Sequence, residues 1–195
     1  MNQSPPIMDC EYFPSLAWYN FYRKQEKVLL EQYEHFVKSS YRTRTYIAGA
    51  NGVLCLSVPV EGGRQQRRRR MKDVKVCNLE AWQRHHWKSI CIAYRRAAFF
   101  EYFEDDLEPF FKKRFEWLMD LNLASLEMVN KLLRINVPYE LTSTYEKEGV
   151  EDLRSVHLPK NRLSHKVEEY VQPFSDRNGF ESNLSILDYI FSAGK

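Results

Sequence analysis

The sequence lacks a long apolar run, has few cysteines and carries almost no excess of either charge. No stretch reaches the roughly 18 consecutive apolar residues that span a bilayer. The first residues, MNQSPPIMDCEYF, have neither the charged start nor the apolar core of a secretory signal. These absences predict a cytoplasmic protein. No C-x-x-C pair occurs, so no zinc site is expected, and four side chains are predicted to be reduced and mostly buried: Cys10, Cys55, Cys77 and Cys91.

The net charge of +3 depends on a single cluster of arginines: Arg64, Arg67, Arg68, Arg69 and Arg70. General nucleic-acid-binding proteins spread basic residues over a broad face, so nucleic acid is an unlikely partner of this chain. The cluster follows two glycines in EGGRQQRRRR, which predicts a flexible basic loop over residues 61–70. Two interpretations stay open. It is either a solvated surface loop, or a flap that closes over an anionic substrate or touches acidic lipid.

A β-hairpin is the clearest pattern that the sequence contains. Asn51-Gly52 is typical of a type I′ turn, and apolar residues alternate in the strand that follows. Tyr41, Arg42 and Arg44 open the incoming strand. Such charges keep an edge strand soluble, or the two guanidinium groups bind phosphate or carboxylate. Because strand positions two apart share a face, we expect both arginines to point the same way.

The remaining elements are predicted around this hairpin. Short apolar runs indicate strands over 7–10, 27–32 and 72–76, whereas the polar stretch 138–161 has no clear pattern. Helical periodicity indicates helices over 16–25 (capped by Ser15), over 79–97 (capped by Asn78), from about 105 with Pro109 in its first turn, from about 120, and over 183–191. The expected fold is one α/β domain over residues 1–195, with a mixed, partly antiparallel sheet around a 44–60 hairpin and helices packed against it.

The predicted helix 79–97 has one apolar face, and this face contains a histidine. The face consists of Trp82, His86, Ile90, Ala93, Tyr94 and Ala97, while His85 is turned away by about 100°. A histidine on an apolar face is either a core residue with satisfied hydrogen bonds or, if the face borders a pocket, a general base. Both interpretations remain open.

A further signal lies in a set of short segments and their order along the chain. They are Tyr12-Phe13-Pro14-Ser15, Ser40-Tyr41-Arg42-Thr43-Arg44-Thr45-Tyr46-Ile47, Asn51-Gly52, Leu56-Ser57-Val58-Pro59-Val60, Trp82 with His86, Ala93-Tyr94, Ala98-Phe99-Phe100, and Asn183 to Phe191. Together they resemble the WbqC-like family of bacterial proteins, which is associated with gene clusters for O-antigen (lipopolysaccharide) and other surface polysaccharides. Two positions depart from the family pattern: Thr43 stands where many members have Asn, and Leu16-Ala17 where many have a glycine.

The resemblance implies an α/β protein and suggests transfer of an aminoacyl group, such as glycyl, to a nucleotide- or lipid-linked amino sugar. The alternative is a non-catalytic binding or scaffold protein of the same pathway. We predict His86 as the catalytic base, no metal and no cofactor, and an anionic small molecule (an activated sugar or aminoacyl donor) as the partner. The predicted substrate-binding residues, expected to border one cleft between the hairpin and helix 79–97, are Tyr41, Arg42, Arg44, Trp82 and Tyr94. Membrane contact through Arg67, Arg68, Arg69 and Arg70 stays an alternative role for the basic loop.

Overall fold

Three short parallel strands form the first sheet of the protein. The computed structural model describes residues 4–62, 68–145 and 151–194, so Arg64 and Arg67 of the predicted basic loop lie outside the described residues. The strands are β1 (Ile7–Asp9), β2 (Val28–Glu31) and β5 (Tyr139–Leu141), in the order β1-β2-β5. Helix α1 (Leu16–Tyr22) connects β1 to β2, as a parallel pair requires a crossover. Strand β5 lies in the polar stretch 138–161, for which no secondary structure was predicted.

The predicted hairpin forms a separate antiparallel sheet of two strands, β3 (Arg44–Gly49) and β4 (Gly52–Ser57). The type I′ assignment of its turn is wrong, since the positive φ falls on Gly52 (+100°) and not on Asn51. Its strand partner Gly49 cannot be replaced by a larger residue without a shift, because a Cβ there would lie 2.8 Å from the Gly52 carbonyl oxygen. With both parallel and antiparallel strands among its helices, the protein has the expected α/β fold.

In the part of the chain that the structure describes, five α-helices follow the hairpin: α2 (Trp82–Tyr94), α3 (Phe100–Lys112), α4 (Leu118–Leu133), α5 (Ser175–Asn178) and α6 (Ile186–Ala193). The predicted apolar face of α2 is confirmed within the helix, because Trp82, His86, Ile90, Ala93 and Tyr94 are all buried. Ala97, the sixth predicted residue, lies beyond the end of α2 and is half-buried. Among the described residues no helix has the length and apolar composition that a bilayer span requires.

Several local predictions are wrong. Asn78 does not cap α2, because its side-chain amide donates to the Phe115 carbonyl at 2.8 Å and the helix begins four residues later. Helix α3 begins at Phe100, so Pro109 lies near its end instead of in its first turn. The expected strand 72–76 is instead a 3-10 turn (Met71–Asp73) followed by isolated bridges. Of the cysteines, which are all free, only Cys10 is buried.

The first and last helices meet at their N-termini. Ser15 caps α1 and Ser185 caps α6, each by accepting a backbone N–H of its own first turn. The two serines also pair as an antiparallel bridge, in which Leu16 N donates to the Leu184 carbonyl at 2.8 Å. This contact holds the starts of α1 and α6 together, although they lie far apart along the chain.

Candidate functional site

A cleft opens at the carboxyl ends of the parallel strands β2 and β5. In open α/β sheets, ligands bind outside the carboxyl ends of the strands. The cleft here has a volume of about 720 Å³, and its lining includes Tyr33, Glu34, Arg70, Arg154 and Ser155. Of these side chains, which lie far apart along the chain, sequence reasoning singled out only Arg70, as part of the basic loop.

One rim of the cleft is held in place by backbone hydrogen bonds. The segment after β2 runs antiparallel to the end of the predicted basic loop: Phe36 N donates to the Arg69 carbonyl, and Met71 N donates to the Glu34 carbonyl, both at 2.9 Å. His35 and Arg70 form a bridge in the same pairing. The end of the basic loop is therefore part of the cleft wall.

Two cations on this rim share one aromatic ring. The Arg70 guanidinium lies 5.3 Å and the Lys72 ammonium 4.4 Å from the centre of the Tyr33 ring. The ring attracts both cations, but it carries no net charge and leaves their positive charges unneutralised. No described carboxylate forms an ion pair with either of them. This part of the rim is suited to an anion.

A buried ion network lies beneath the cleft. Arg42, which is fully buried, donates to both oxygens of Glu34 (Nε to Oε1 2.6 Å, Nη2 to Oε2 2.7 Å) and lies 3.1 Å from Asp9 Oδ2 at the end of β1. Burial raises the pKa of Glu34 above its usual value, and Arg42 opposes that shift. The Glu34 side chain is 8% exposed and faces the cleft. Each of its oxygens can accept a further hydrogen bond.

The opposite wall is built on Arg154. Its Nη1 donates to Glu31 Oε2 at the end of β2 (2.6 Å), and its Nε and Nη2 donate to Asp152 at 2.8 and 2.6 Å. Its guanidinium also lies 4.3 Å from the centre of the Tyr145 ring. Because Arg154 binds both Glu31 at the end of β2 and Asp152, it holds this wall against the sheet.

None of the six predicted site residues lines this cleft, although Arg42 supports it through Glu34. Strand β3 begins at Arg44, so the premise that both arginines lie on one strand face is wrong. The Arg44 side chain is half-buried, and its Nε has no hydrogen-bond partner. Tyr41 is buried beside the Tyr46 ring, with its hydroxyl also unpartnered. Their role in binding stays a prediction.

The other three predicted residues lie together on the buried face of α2. His86 Nε2 lies 3.3 Å from the Ser57 carbonyl, to which it donates, so its Nδ1 accepts from the Tyr12 hydroxyl at 3.1 Å. Burial lowers the pKa of His86 to about 4, which keeps the ring neutral at pH 7. Trp82 packs edge-on against it. Tyr94 accepts from Ala48 N at 2.9 Å and donates to Asp188 at 2.6 Å.

The sequence carries a weak signal for the residues that were missed. Asp9 and Glu31 are the acidic residues that end the apolar runs of β1 and β2, and Glu34 follows closely. Carboxylates at the ends of buried parallel strands collect at one edge of a sheet. Within the described ranges, no group of His, Cys, Asp and Glu is arranged to hold a metal ion.

Comparison with known proteins supports a family assignment. Neither the curated proteins nor the solved structures yielded a match. A sequence profile of the WbqC-like protein family, however, matches residues 10–173, which is most of the chain and includes the hairpin and the lining of the cleft. The chain therefore belongs to the WbqC-like protein family.

Proposed function

We propose that the protein is a cytoplasmic transferase of surface-polysaccharide biosynthesis that binds a phosphate-activated amino sugar in the cleft at the parallel sheet. The observation that carries this proposal is a buried carboxylate and a cation that line one cleft, Glu34 on the floor and Arg70 at the rim. Lys72 adds a second cation on the Tyr33 ring that Arg70 also contacts. Family membership supports the polysaccharide context. The reaction is transfer of an acyl group, such as glycyl, to the sugar amine.

Glu34 binds the amine of the sugar. An ammonium group donates to the lone pairs that Glu34 does not use with Arg42. Burial raises the pKa of Glu34, which brings the carboxylate closer to the range in which it accepts a proton from the attacking amine. This first proton comes from the ammonium group and leaves a neutral, nucleophilic amine. The amine nitrogen then bonds to the carbonyl carbon of an activated aminoacyl donor, and the bond from that carbon to the leaving group breaks. The leaving group takes the second proton, which the nitrogen loses as the amide forms, and Glu34 releases the first proton to solvent.

His86 is the alternative base. Both of its ring nitrogens lie within hydrogen-bond distance of Tyr12 and Ser57. Catalysis by His86 therefore requires these bonds to break and the hairpin side of α2 to open. Glu34 already faces the cleft and needs no such movement, so the proposal assigns it the proton transfer.

Arg70 and Lys72 bind the phosphate groups. A phosphate at the rim forms charge-assisted hydrogen bonds with Arg70, and the charge of Lys72 on the same ring adds to the attraction. Salt screens contacts at an exposed rim, so affinity for the activated sugar should fall as ionic strength rises. A sugar without phosphate should bind weakly at any salt concentration.

Calorimetric titration tests the binding half of the proposal. The ligands are a nucleotide-linked sugar with a free amine, the same compound with the amine acetylated, and the nucleoside diphosphate alone. We expect the free amine to bind best. Arg70→Gln should weaken all three ligands about tenfold or more, since a charged hydrogen bond contributes about 1.5–3 kcal/mol. The control is Arg69→Gln, an exposed neighbouring arginine that does not line the cleft.

Glu34→Gln tests the amine site, because it should abolish the preference for the free amine and leave the affinity for the nucleoside diphosphate. The melting temperature of the variant checks its fold, since Glu34 also binds Arg42. Equal affinity of the unaltered protein for amine and acetylated amine, or equal losses in Arg69→Gln and Arg70→Gln, would contradict the proposed site. Binding without turnover of any aminoacyl donor would instead make this a binding protein of the same pathway.

A further inference from the structure

A second groove, of about 970 Å³, lies between the C-terminal end of α2 and residues 171–174. Apolar side chains face it from both walls and are strongly exposed to solvent: Ile92 is 71% and Val171 83% exposed. Three cations also line it, namely Lys88, Arg95 and Arg96, whereas no described acidic residue does. Exposed apolar surface combined with charge of one sign marks a binding surface for an amphiphilic ligand.

The wall that carries Val171 is fixed to the body of the protein. The Gln172 side chain donates to Asp188 Oδ2 at 2.7 Å and accepts from Glu181 N at 2.8 Å. The Tyr170 hydroxyl donates to the same Asp188 oxygen at 2.6 Å. The groove is therefore preformed, and a ligand does not have to order this wall on binding.

Two further features of the groove lining lower the stability of the protein, namely a strained backbone conformation and a buried hydroxyl without a hydrogen-bond partner. Phe174 has φ +65°, in the left-handed region that bulky residues avoid, and this backbone conformation places the residue in the groove wall. The hydroxyl of Ser192, on the α6 side, is buried without a hydrogen-bond partner. Strain and an unpartnered polar group at one place are typical of functional sites.

We propose that this groove binds an anionic lipid, with the phosphate between the cations and a hydrocarbon chain along Ile92 and Val171. Free phosphate would leave the apolar walls in water, and a neutral lipid would leave the cations unused. Arg95 forms a long ion pair with Glu104 (3.6 Å), in which the arginine is largely exposed, and a phosphate can replace this partner. The proposal does not depend on the cleft at the sheet.

Vesicle co-sedimentation of the full chain tests the proposal. We expect binding to mixed phosphatidylcholine–phosphatidylglycerol vesicles and little binding to pure phosphatidylcholine. The double variant Arg95→Gln/Arg96→Gln should lose about 25-fold in affinity, since each cation near an anionic surface contributes about fivefold. Ile92→Ser should also weaken binding, because it removes the apolar contact. The matched control is Arg68→Gln/Arg69→Gln, two exposed arginines of the basic loop, which should bind as the unaltered protein does.

Titration with soluble probes separates the lipid from its headgroup. Decyl phosphate should bind and compete with vesicles, whereas inorganic phosphate should not. Loss of vesicle binding in the loop control but not in Arg95→Gln/Arg96→Gln would overturn the proposal, as would equal affinity for decyl and inorganic phosphate. Absence of binding to both the vesicles and decyl phosphate would also overturn it.

Discussion

Replacing Arg42 by methionine should destabilise the protein strongly and in a pH-dependent way. The guanidinium is fully buried, binds Glu34 through two hydrogen bonds and lies 3.1 Å from the fully buried Asp9. Methionine fills much of the same volume, so the loss reports the charge more than a cavity. Removing one member of a buried ion pair costs about 3–5 kcal/mol, because the remaining charge stays buried without a partner.

The pH dependence identifies the cause of the loss. Arg42 is the main influence that opposes the burial-induced rise in the pKa of Glu34, so the variant should raise that pKa further. A carboxyl group with a raised folded-state pKa binds its proton more tightly when folded, so stability is regained as the pH falls through that pKa. The difference in unfolding free energy between the two proteins should therefore shrink from pH 7 to pH 5.

Urea unfolding, followed by tryptophan fluorescence at both pH values, measures this difference. Arg69→Met, at an exposed position, is the control and should change stability by less than about 0.5 kcal/mol. Adding Glu34→Gln to Arg42→Met should restore part of the loss, because it removes the unpaired charge. A loss below 1 kcal/mol, or a loss that is the same at pH 7 and pH 5, would refute the reasoning.

Three further predictions follow from other parts of the structure. Because burial lowers the pKa of His86 to about 4, this residue takes up a proton at higher pH in the unfolded chain than in the folded protein. The free energy of unfolding should therefore fall as the pH drops from 6.5 to 4, by at most about 3 kcal/mol. Thermal melts of His86→Gln should show a shallower fall over the same pH range. Gly49→Ala should cost about 1–3 kcal/mol in urea titration, because its Cβ would lie 2.8 Å from the Gly52 carbonyl, whereas the exposed Ala50→Ser should cost little. If Arg44 binds the anionic substrate, Arg44→Ala should weaken calorimetric binding by about 1.5–3 kcal/mol with an unchanged melting temperature; if it is structural, the melting temperature falls instead.

Local patterns in the sequence predicted much of the fold. The buried face of α2 follows from helical periodicity, and the predicted cap Ser15 lies where a hydroxyl meets the start of an apolar helix. Ser185, expected inside the last helix, is instead its cap. The predicted start of α3 was wrong because proline is common in the first turn of a helix, and Pro109 is instead near the end of this one. Pro109 is tolerated near the end of that helix, where it interrupts only the last turns.

The cleft could not be predicted because its residues come together only through the order of the parallel strands. Arg154 is 123 positions from Glu31, which it binds, and β5 gives no periodic signal within its three residues. The burial of Arg42 could not be predicted for the same reason. Its sequence neighbours indicate a strand that starts early, whereas two carboxylates from other segments draw it into the interior.

The position of the Arg42 network has a consequence for function. A buried ion network contributes little net stability, because desolvation of the charges cancels most of their attraction, and well-packed apolar residues often stabilise a fold as well or better. Stability therefore gives a weak reason for placing Asp9, Glu34 and Arg42 together beneath the sheet end. Orientation gives a stronger one: two parallel hydrogen bonds from a rigid guanidinium fix the Glu34 carboxylate in one plane at the cleft. A carboxylate that has to recognise an amine requires that fixed direction, and a carboxylate that only kept the surface soluble would not.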